Sequence, residues 1–144
     1  PPPGALVLRS DEIRKRQAGV APETRLPPAA YTPAASAAVF AELAAIAGTA
    51  TAAGHAVIAD ATFMGPAQRQ AVRAAAVGAP FLGVWLHAPL PVLEARVAGR
   101  RGDASDADLA VLRSAAAHDP GAGDWLAVDA TDGVAALAAV RAAL

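Results

Sequence analysis

Apolar residues form four short runs along the chain, and stretches with helical periodicity lie between them. The four runs are almost continuously hydrophobic and cover residues 5–8, 56–59, 81–86 and 125–128. Strands of a parallel sheet that helices cover on both faces show this pattern, whereas strands with one solvated face alternate apolar and polar residues. The runs therefore predict four strands of a buried parallel sheet.

Capping and turn residues predict where the intervening helices begin and end. Ser10 is placed to cap a helix that extends to Ala18. Thr32, followed by Pro33, starts a longer helix that Gly54 closes. Two further helices are predicted over residues 66–78 and 89–101. A fifth helix follows a capping box of Ser105 and Asp108, and a last one carries the apolar stripe Val134, Leu137, Val140 and Leu144.

The alternation of strands and helices predicts the fold class. Such a chain folds as an α/β protein whose parallel sheet has helices on both faces, which makes three layers. The 144 residues have the size of one domain, and no repeat or linker divides them, so we predict a single domain over residues 1–144. Ligands in these sheets bind beyond the carboxyl ends of the strands, so the residues after each apolar run are candidates for function.

Composition and charge narrow the classes of function. The net charge of -1 argues against electrostatic binding of a long nucleic-acid duplex but leaves a strand end or a mononucleotide open. Without cysteine the chain has no disulfide, no thiolate nucleophile and no Cys-ligated zinc. Gly, Pro or charged residues interrupt the longest apolar stretches before the ~18 residues of a membrane span. These features predict a cytoplasmic protein without a membrane partner.

Asp11 and Arg14 lie one helical turn apart, directly after the first apolar run. A carboxylate in this position can take the proton of an attacking hydroxyl, and a guanidinium beside it can hold an anionic substrate. The pair can equally be a helix N-terminal acid with a solvated partner three residues on. The spacing thus identifies a candidate base and a candidate substrate-binding residue, with a structural alternative.

Asp60 and Thr62 follow the second run, where the stretch HAVIADATF changes from apolar to polar, and the Thr62 hydroxyl is a candidate for substrate binding. An acid at the end of a buried strand can support Mg²⁺ through water or orient a nucleophile, and the alternative is a carboxylate that accepts hydrogen bonds from loop N–H groups. Burial of this acid without any partner is costly, so we expect it to have one.

Arginines form two further groups of candidates. Arg96 and Arg100 are four residues apart on one predicted helix, with Arg101 beside them, and planar guanidiniums on such a segment match phosphate oxygens. The alternative is a basic helix end that complements its own dipole. Arg69 and Arg73 share one face of the helix after DATF, where a solvated face is the alternative to substrate binding.

Taken in this order, the clusters resemble the P-loop kinase superfamily, and in particular the small bacterial ATP-binding kinases of the AAA type. The similar stretches are LVLRSDEIRKRQAG, AGHAVIADATF, RQAVRAAA, PFLGVWLHAPLPVLEARVAGRRGDASDAD and DWLAVDAT, which cover nearly the whole chain. Polynucleotide 5'-kinases, zeta toxins, gluconate kinases and chloramphenicol phosphotransferases are relatives. In several bacterial proteins a similar module follows a half that resembles aminoglycoside phosphotransferases, so the resemblance implies such a fusion as one arrangement.

The resemblance implies a role for each group of candidates, with ATP and Mg²⁺ as cofactors. Asp11 is similar in position to the Asp of a D-x-x-R motif, which acts as general base on the acceptor hydroxyl, and Arg14 to its substrate-binding partner. Asp60 resembles the acid that supports magnesium or positions the acceptor. Arg96, Arg100 and Arg101 resemble the arginines that close over ATP as a lid.

One motif of the superfamily is missing from the sequence. The phosphate-binding loop G-x-x-x-x-G-K-[ST] does not occur, and the only lysine, Lys15, lies on the wrong predicted helix to replace the lysine of that loop. In the superfamily the strand before this loop lies centrally, between the strands that end near Asp60 and near His87, and the start PPPGALVL is similar to the loop that enters the second strand. We therefore expect a fragment that lacks about 25 to 30 N-terminal residues, roughly one strand, loop and helix.

The combined prediction is a kinase module that moves the γ-phosphate of ATP to a hydroxyl of a small molecule or a nucleic-acid end, and that is inactive as this fragment. Two alternatives remain. One is a non-catalytic ATP-binding or regulatory module of a larger enzyme, and the other is an interaction domain built on a rearranged four-stranded sheet. Asp11 and Arg14 favour the kinase, because a regulatory module needs no base.

Overall fold

All four predicted strands are present in the computed structural model, which describes residues 4–144. They are β1 (Leu6–Arg9), β2 (Val57–Asp60), β3 (Val84–His87) and β4 (Leu126–Asp129). Each strand ends one residue later than its apolar run, because the polar residue after the run still pairs with the neighbouring strand. Residues 1–3 of the predicted N-terminal loop lie outside the described residues.

The described part of the chain also contains six α-helices and one 3-10 turn. The first half holds α1 (Ser10–Gln17), the 3-10 turn (Pro28–Tyr31), α2 (Pro33–Ala52) and α3 (Pro66–Ala75). The second half holds α4 (Leu90–Gly99), α5 (Leu109–Ala117) and α6 (Gly133–Ala142). The predicted α/β class with parallel strands is confirmed.

The described residues form two compact units, each with its own pair of parallel strands. The first unit contains the residues up to Pro80 together with Gly102–Asp106, and the second contains Phe81–Arg101 and Ala107–Leu144. β1 pairs with β2 in the first unit, and β3 pairs with β4 in the second. The single domain over residues 1–144 stays a prediction.

The core of the first unit forms between α2 and the β1–β2 pair. Val39 and Leu43 on α2 are fully buried, and Leu8 on β1 is buried as well. The side chain of Thr32 accepts a hydrogen bond from the N–H of Ala35, so the predicted cap of this helix is confirmed. Because α2 also packs against α1 and α3, it positions the elements that carry the candidate residues.

Helix α2 has the length and apolar composition of a membrane-crossing helix, a test that the core helix of a soluble protein also passes. Its Glu42 carboxylate accepts hydrogen bonds from Arg16 at 2.5 Å and from Gln17 at 2.6 Å, both on α1. Val39, Leu43 and Ala47 of α2 are buried, and the contacts of Glu42 join this helix to α1. The absence of a membrane partner stays a prediction.

Two helix ends differ from the sequence prediction. Ser10 is the first residue of α1 and not its cap, because the cap position belongs to Arg9, whose side chain makes no capping hydrogen bond. Helix α4 ends at Gly99, and Arg100 already has extended backbone with a ψ of 135°. Arg100 and Arg101 therefore follow the helix, and the prediction of a helix up to Arg101 was wrong.

The start of α5 also differs from the prediction. The side chain of Asp108 itself caps this helix, since its Oδ1 accepts hydrogen bonds from the N–H groups of Ala110 and Val111 at 3.0 Å each. The predicted capping box of Ser105 and Asp108 was wrong, because the helix begins after Asp108 and the Ser105 hydroxyl contacts another part of the chain.

The core of the second unit is built around Trp125 on the loop that enters β4. Its indole is 8% exposed and meets the ring of Phe81 edge-on, with 6.1 Å between the ring centroids. Val128 on β4 is buried as well. Trp125 is therefore a core residue of this unit.

The apolar stripe predicted for α6 does not form the buried face of that helix. Val134 and Leu137 are 80% and 50% exposed, whereas Ala136 is the buried residue of α6. The helix packs against β4. The period of the apolar residues was read correctly as helical, but the stripe was wrongly predicted to pack on the sheet.

Candidate active site

The carboxyl ends of β1 and β2 bring Arg9 and Asp60 together. The two residues are partners in the strand register, and Arg9 Nε donates a hydrogen bond to Asp60 Oδ2 at 3.2 Å. Arg9 also donates to Glu12 on α1 at 3.4 Å and to Asp103 at 2.8 Å. The partner expected for Asp60 is therefore a guanidinium, which gathers three carboxylates at the strand ends.

Asp11 lies half-buried in the first turn of α1, where the hydroxyl of Ser105 donates a hydrogen bond to its carboxylate. Burial raises the pKa of the Asp11 carboxyl above its usual value, and the negative charge of Asp60 acts in the same direction. The hydrogen bond from Ser105 and the positive charges of Arg9 and Arg14 oppose this rise in pKa without cancelling it. A carboxylate in this state accepts a proton more readily than an exposed aspartate, as a general base must.

Arg14 is held against the segment that precedes and begins α2. It donates hydrogen bonds to the carbonyl oxygen of Ala30 at 2.7 Å and to Ser36 Oγ at 3.4 Å. Its guanidinium lies 4.8 Å from the centroid of the Tyr31 ring, within the range of a cation–π contact. The positive charge of Arg14 is thus fixed in place, close enough to lower the pKa of Asp11.

Four consecutive residues, here called the 103–106 segment, dock on β1 and α1 through polar side chains. The contacts are Asp103 with Arg9, Ser105 with Asp11, and Asp106 with Lys15. Between them Ala104 is 4% exposed, so the segment has a buried apolar anchor as well. Together with Gly102 the segment belongs to the first unit, although Arg101 before it and Ala107 after it belong to the second.

Lys15 and Asp106 form a buried ion pair that other donors complete. Lys15 is 1% exposed, and its Nζ lies 2.6 Å from Asp106 Oδ2 and also donates to the carbonyl of Thr24. The hydroxyl of Tyr31 and the N–H of Leu26 donate to the same carboxylate, the latter at 2.9 Å. Burial opposes the charge on Asp106, but these hydrogen bonds outweigh burial and lower the pKa of its carboxyl. The network ties the loop between α1 and α2 to α1 itself.

The loop after β2 turns sharply at Phe63. This residue has a φ of 43°, which residues other than glycine rarely adopt, and its buried ring lies 5.6 Å from that of Phe40. Arg69 Nε donates to the Phe63 carbonyl oxygen at 2.8 Å, so this arginine supports the loop. Thr62 is exposed just before the turn, and Arg73 is exposed on α3. The substrate-binding roles of Thr62, Arg69 and Arg73 stay predictions.

The predicted lid arginines belong to the second unit, where two of them donate hydrogen bonds to backbone carbonyl oxygens. Arg96 donates to the carbonyl oxygens of Ala130 and Thr131 at 2.6 and 3.0 Å, just after β4. Arg101 donates to two carbonyl oxygens of its own segment, at 3.0 and 2.8 Å. Because Arg100 lies beyond α4, the prediction that Arg96 and Arg100 share one helix face was wrong. Whether the three close over ATP stays a prediction.

Asp11 and Asp60, which the sequence predicted at one edge of the sheet, follow β1 and end β2 in the first unit, but sequence reasoning missed three residues that surround them. Arg9 follows the first apolar run directly, so the strand-end rule that selected Asp60 could also have found it. Ser105 was assigned to a capping box and Asp106 was not singled out, and no local pattern connects either residue to α1. Their contacts become visible only when the 103–106 segment is folded onto the first unit.

The fit of the implied cofactors can be judged from the described residues. Among residues 4–144 no group of three or more His, Cys, Asp or Glu side chains could bind a metal ion. Mg²⁺ at a nucleotide site needs only one or two carboxylates, because phosphates and water supply the other ligands, and Asp60 with its 61% exposed side chain fits that need. The sequence has no Gly-rich loop for the triphosphate, so these residues do not form a complete ATP site.

Comparison with known proteins places the chain in a family. A family profile described as "AAA domain" matches residues 1–118. No curated protein has a matching sequence. The solved structure of the tunicamycin resistance protein of Deinococcus radiodurans is similar, with 18% identity and a TM-score of 0.56 over 99% of this chain and 84% of that chain.

The two findings agree on a kinase-like P-loop fold. The narrower likeness to zeta toxins, to gluconate kinases and to fusions with phosphotransferases stays a prediction. With most of its length matched by the profile, the chain belongs to the AAA-domain family, a kinase-like group of P-loop NTPases.

Proposed function

We propose that this chain supplies the acceptor site and the general base of an ATP-dependent phosphotransferase, which moves the γ-phosphoryl group of ATP to a hydroxyl. The acceptor is a small molecule or the end of a nucleic acid. One observation carries the proposal: Asp11 is half-buried in the first turn of α1, directly after the carboxyl end of β1, where Arg9 Nε also contacts Asp60 Oδ2 at 3.2 Å. Burial raises the pKa of the Asp11 carboxyl, which suits a group that takes the proton of an acceptor hydroxyl, and Arg9 and Arg14 place positive charge beside it.

The candidate residues of the first unit each have a distinct role in this proposal. Asp11 takes the proton of the acceptor hydroxyl as the bond to phosphorus forms. Arg9 and Arg14 offset negative charge beside the transferring group, which is where phosphoryl transfer gains most of its catalysis. Asp60 would support bound Mg²⁺, and the ion would supply positive charge that offsets the charge of the phosphates. The lid role falls to Arg96, Arg100 and Arg101.

The direct test is phosphoryl transfer by the full-length protein, measured as ADP formation with and without candidate acceptors. We expect Asp11→Asn to reduce transfer by roughly 10²–10⁴-fold, because an amide does not take the proton, while nucleotide affinity stays nearly unchanged. Asp119→Asn makes the same chemical change at an exposed residue of the second unit and should keep the wild-type rate. An unchanged rate for Asp11→Asn would exclude Asp11 as the base.

The pH dependence of transfer gives a second readout of the same residue. Asp11 acts as a base only when it is ionised, so kcat/KM should decline as the pH falls through the pKa of its carboxyl. Because this pKa is raised, the decline should begin at a higher pH than for an ordinary aspartate, whose pKa is about 3.9. Arg14→Met removes a positive charge that lowers this pKa and should move the acid limb of the normalised profile to higher pH. A limb that stays in place would assign the titration to another group.

A non-catalytic ATP-binding module is the second candidate, and the occupation of the Asp11 carboxylate by Ser105 is the observation that favours it. Such a module would bind ATP with Mg²⁺ and transfer nothing to any acceptor. Nucleotide binding without turnover, in a protein where Asp11→Asn changes neither, would therefore support this candidate and reject the transferase.

A further inference from the structure

The loop between α1 and α2 is fastened to the buried pair of Lys15 and Asp106 at three points. The N–H of Leu26 donates to Asp106 Oδ2 at 2.9 Å, and the hydroxyl of Tyr31 donates to the same oxygen. The carbonyl oxygen of Thr24 accepts a hydrogen bond from Lys15 Nζ. Because one buried pair binds all three residues, the end of the loop at Tyr31 has a fixed position beside α1.

Tyr31 presents its ring, and not its hydroxyl, for contact with a ligand. The hydroxyl is bound to Asp106, and burial together with this hydrogen bond raises the pKa of Tyr31 well above its usual range, so the phenol stays neutral. The residue is nevertheless 39% exposed. The guanidinium of Arg14 lies 4.8 Å from the ring centroid and restrains the ring. Tyr31 therefore offers a ligand an aromatic ring that is held in place.

This ring lies beside the candidate base. Asp11 and Arg14 are three residues apart within α1, and residues at that spacing are neighbours on one helix face, with about 5–6 Å between their Cβ atoms. Arg14 contacts the ring of Tyr31 and donates to the carbonyl oxygen of Ala30 at 2.7 Å. An acceptor that presents its hydroxyl to Asp11 therefore has its remaining atoms within reach of Tyr31.

The polar atoms around the ring favour a planar apolar group over a sugar. Arg14 donates through one terminal nitrogen to Ala30 and through the other to Ser36 Oγ at 3.4 Å, and its Nε is buried. The hydroxyl of Tyr31 is bound to Asp106. A sugar would need hydrogen bonds from atoms that already have partners or are buried, whereas an aromatic ring packs on Tyr31 without them.

We propose that Tyr31 is a specificity-determining residue of the acceptor site, whose ring packs against an aromatic ring that the acceptor carries next to its hydroxyl. The inference deepens the proposed function and rests on it, because this hydroxyl is the one that Asp11 deprotonates. Aromatic rings pair in offset or edge-to-face arrangements that a saturated ring of the same size does not reproduce. An aromatic alcohol and the terminal nucleoside of a nucleic acid both supply this chemistry.

The experiment measures the binding of matched probes to the full-length protein by NMR titration, without ATP. Benzyl alcohol is compared with cyclohexylmethanol, and a 5'-hydroxyl oligonucleotide with the same oligonucleotide whose first nucleotide is abasic. We expect the aromatic member of one pair to bind about 2- to 10-fold more tightly than its counterpart, and that pair identifies the source of the ring. Equal affinities within both pairs would overturn the proposal.

Variants of Tyr31 show whether its ring causes the preference. Tyr31→Leu should abolish the preference, whereas Tyr31→Phe should keep it, because the ring remains and only the hydroxyl is lost. Leu137→Ala, at an exposed residue of the second unit, is the control and should bind like the wild type. A preference that survives in Tyr31→Leu contradicts the proposal. If Tyr31→Leu does not fold, loss of the preference in a folded Tyr31→Phe protein has the same consequence.

Transfer with ATP and Mg²⁺ separates this inference from the proposed function. Tyr31→Leu should raise KM for the preferred probe about 2- to 10-fold and leave kcat nearly unchanged, whereas Asp11→Asn lowers kcat. Transfer that does not distinguish the members of either pair would reject the inference and leave the proposed function intact. Binding that depends on Tyr31, without transfer to any acceptor, would reject both, because the bound molecule would then not be an acceptor.

Discussion

Lys15 illustrates how strongly one buried residue can depend on a single partner. It is the only lysine of the chain, and its side chain is 1% exposed. The ammonium group binds the carbonyl of Thr24 and the carboxylate of Asp106. A lysine committed in this way has no part in phosphate binding, which agrees with the sequence argument that it does not replace the lysine of the superfamily's phosphate-binding loop.

Removing the partner of Lys15 should destabilise the first unit severely. We expect Asp106→Asn to lower the free energy of unfolding by about 3–5 kcal/mol, because a buried ammonium group is left without its counter-charge. The pKa of Asp106 is lowered in the folded state, so its contribution is present above the unfolded value of about 3.9 and is lost as the pH falls through the folded value. The difference between the two proteins in chemical denaturation should therefore shrink below about pH 4.

An exposed ion pair of the same unit serves as the control for this change. Arg16 and Glu42 lie 2.5 Å apart, but the arginine side chain is 59% exposed, so Arg16→Ala should cost at most about 1 kcal/mol. Equal losses in Arg16→Ala and Asp106→Asn would contradict the view that burial makes the Lys15 pair important.

At the scale of elements, the sequence predicted where strands lie better than where helices end. An apolar run is a local property that burial on both faces selects, and all four runs became strands. The periodicity of apolar residues does not predict the cap of α1 or the end of α4, because both depend on local contacts. In α6 the pattern identified a helix with an apolar stripe, but Val134 and Leu137 on that stripe are exposed, because periodicity does not say what covers a face.

The β3–β4 pair depends on a close approach between Gly83 and Trp125. A Cβ atom at residue 83 would lie 2.5 Å from the indole of Trp125, which is itself buried against Phe81. We expect Gly83→Ala to cost about 1–3 kcal/mol of unfolding free energy, since the core has no room for the methyl group. Urea denaturation monitored by tryptophan fluorescence would measure this loss.

The matched control for that substitution is Gly99→Ala at the end of α4. A Cβ atom there meets nothing within 4 Å, so the change should be neutral or stabilise the protein by up to about 1 kcal/mol. If both variants lose the same stability, the contact with Trp125 does not explain the glycine at position 83.

At the scale of the whole molecule, the β1–β2 pair is covered on one face and bare on the other. Leu8 is buried toward α2, whereas Val7 and Ile58, which are partners in the strand register, are 52% and 55% exposed. Parallel strands are normally buried on both faces. Within the described residues β2 also pairs with one neighbour alone, so its second edge keeps backbone donors and acceptors that a further strand could bind.

The candidate site was predictable only where it follows the strand ends. Asp11 and Asp60 were found because residues after buried parallel strands gather at one edge. The pairs Arg9 with Asp103 and Lys15 with Asp106 join residues 94 and 91 positions apart, and no pattern in one sequence encodes contacts of that range. Ser105 was missed because the sequence pattern around it predicted a helix cap.

A Gly-rich loop should decide whether this fold binds nucleotide. We compare the 144-residue chain with a version that carries, ahead of residue 1, a strand, a G-x-x-x-x-G-K-[ST] loop and a helix. The chain alone should bind ATP weakly and turn none over, because its sequence contains no such loop to hold the triphosphate. The longer version should bind ATP with Mg²⁺ in calorimetry and gain about 2.7 kcal/mol of stability at a ligand concentration of 100 times Kd. Replacing the loop lysine by alanine should remove both effects, and equal ATP affinity in the two proteins would show that the described residues bind the triphosphate by themselves.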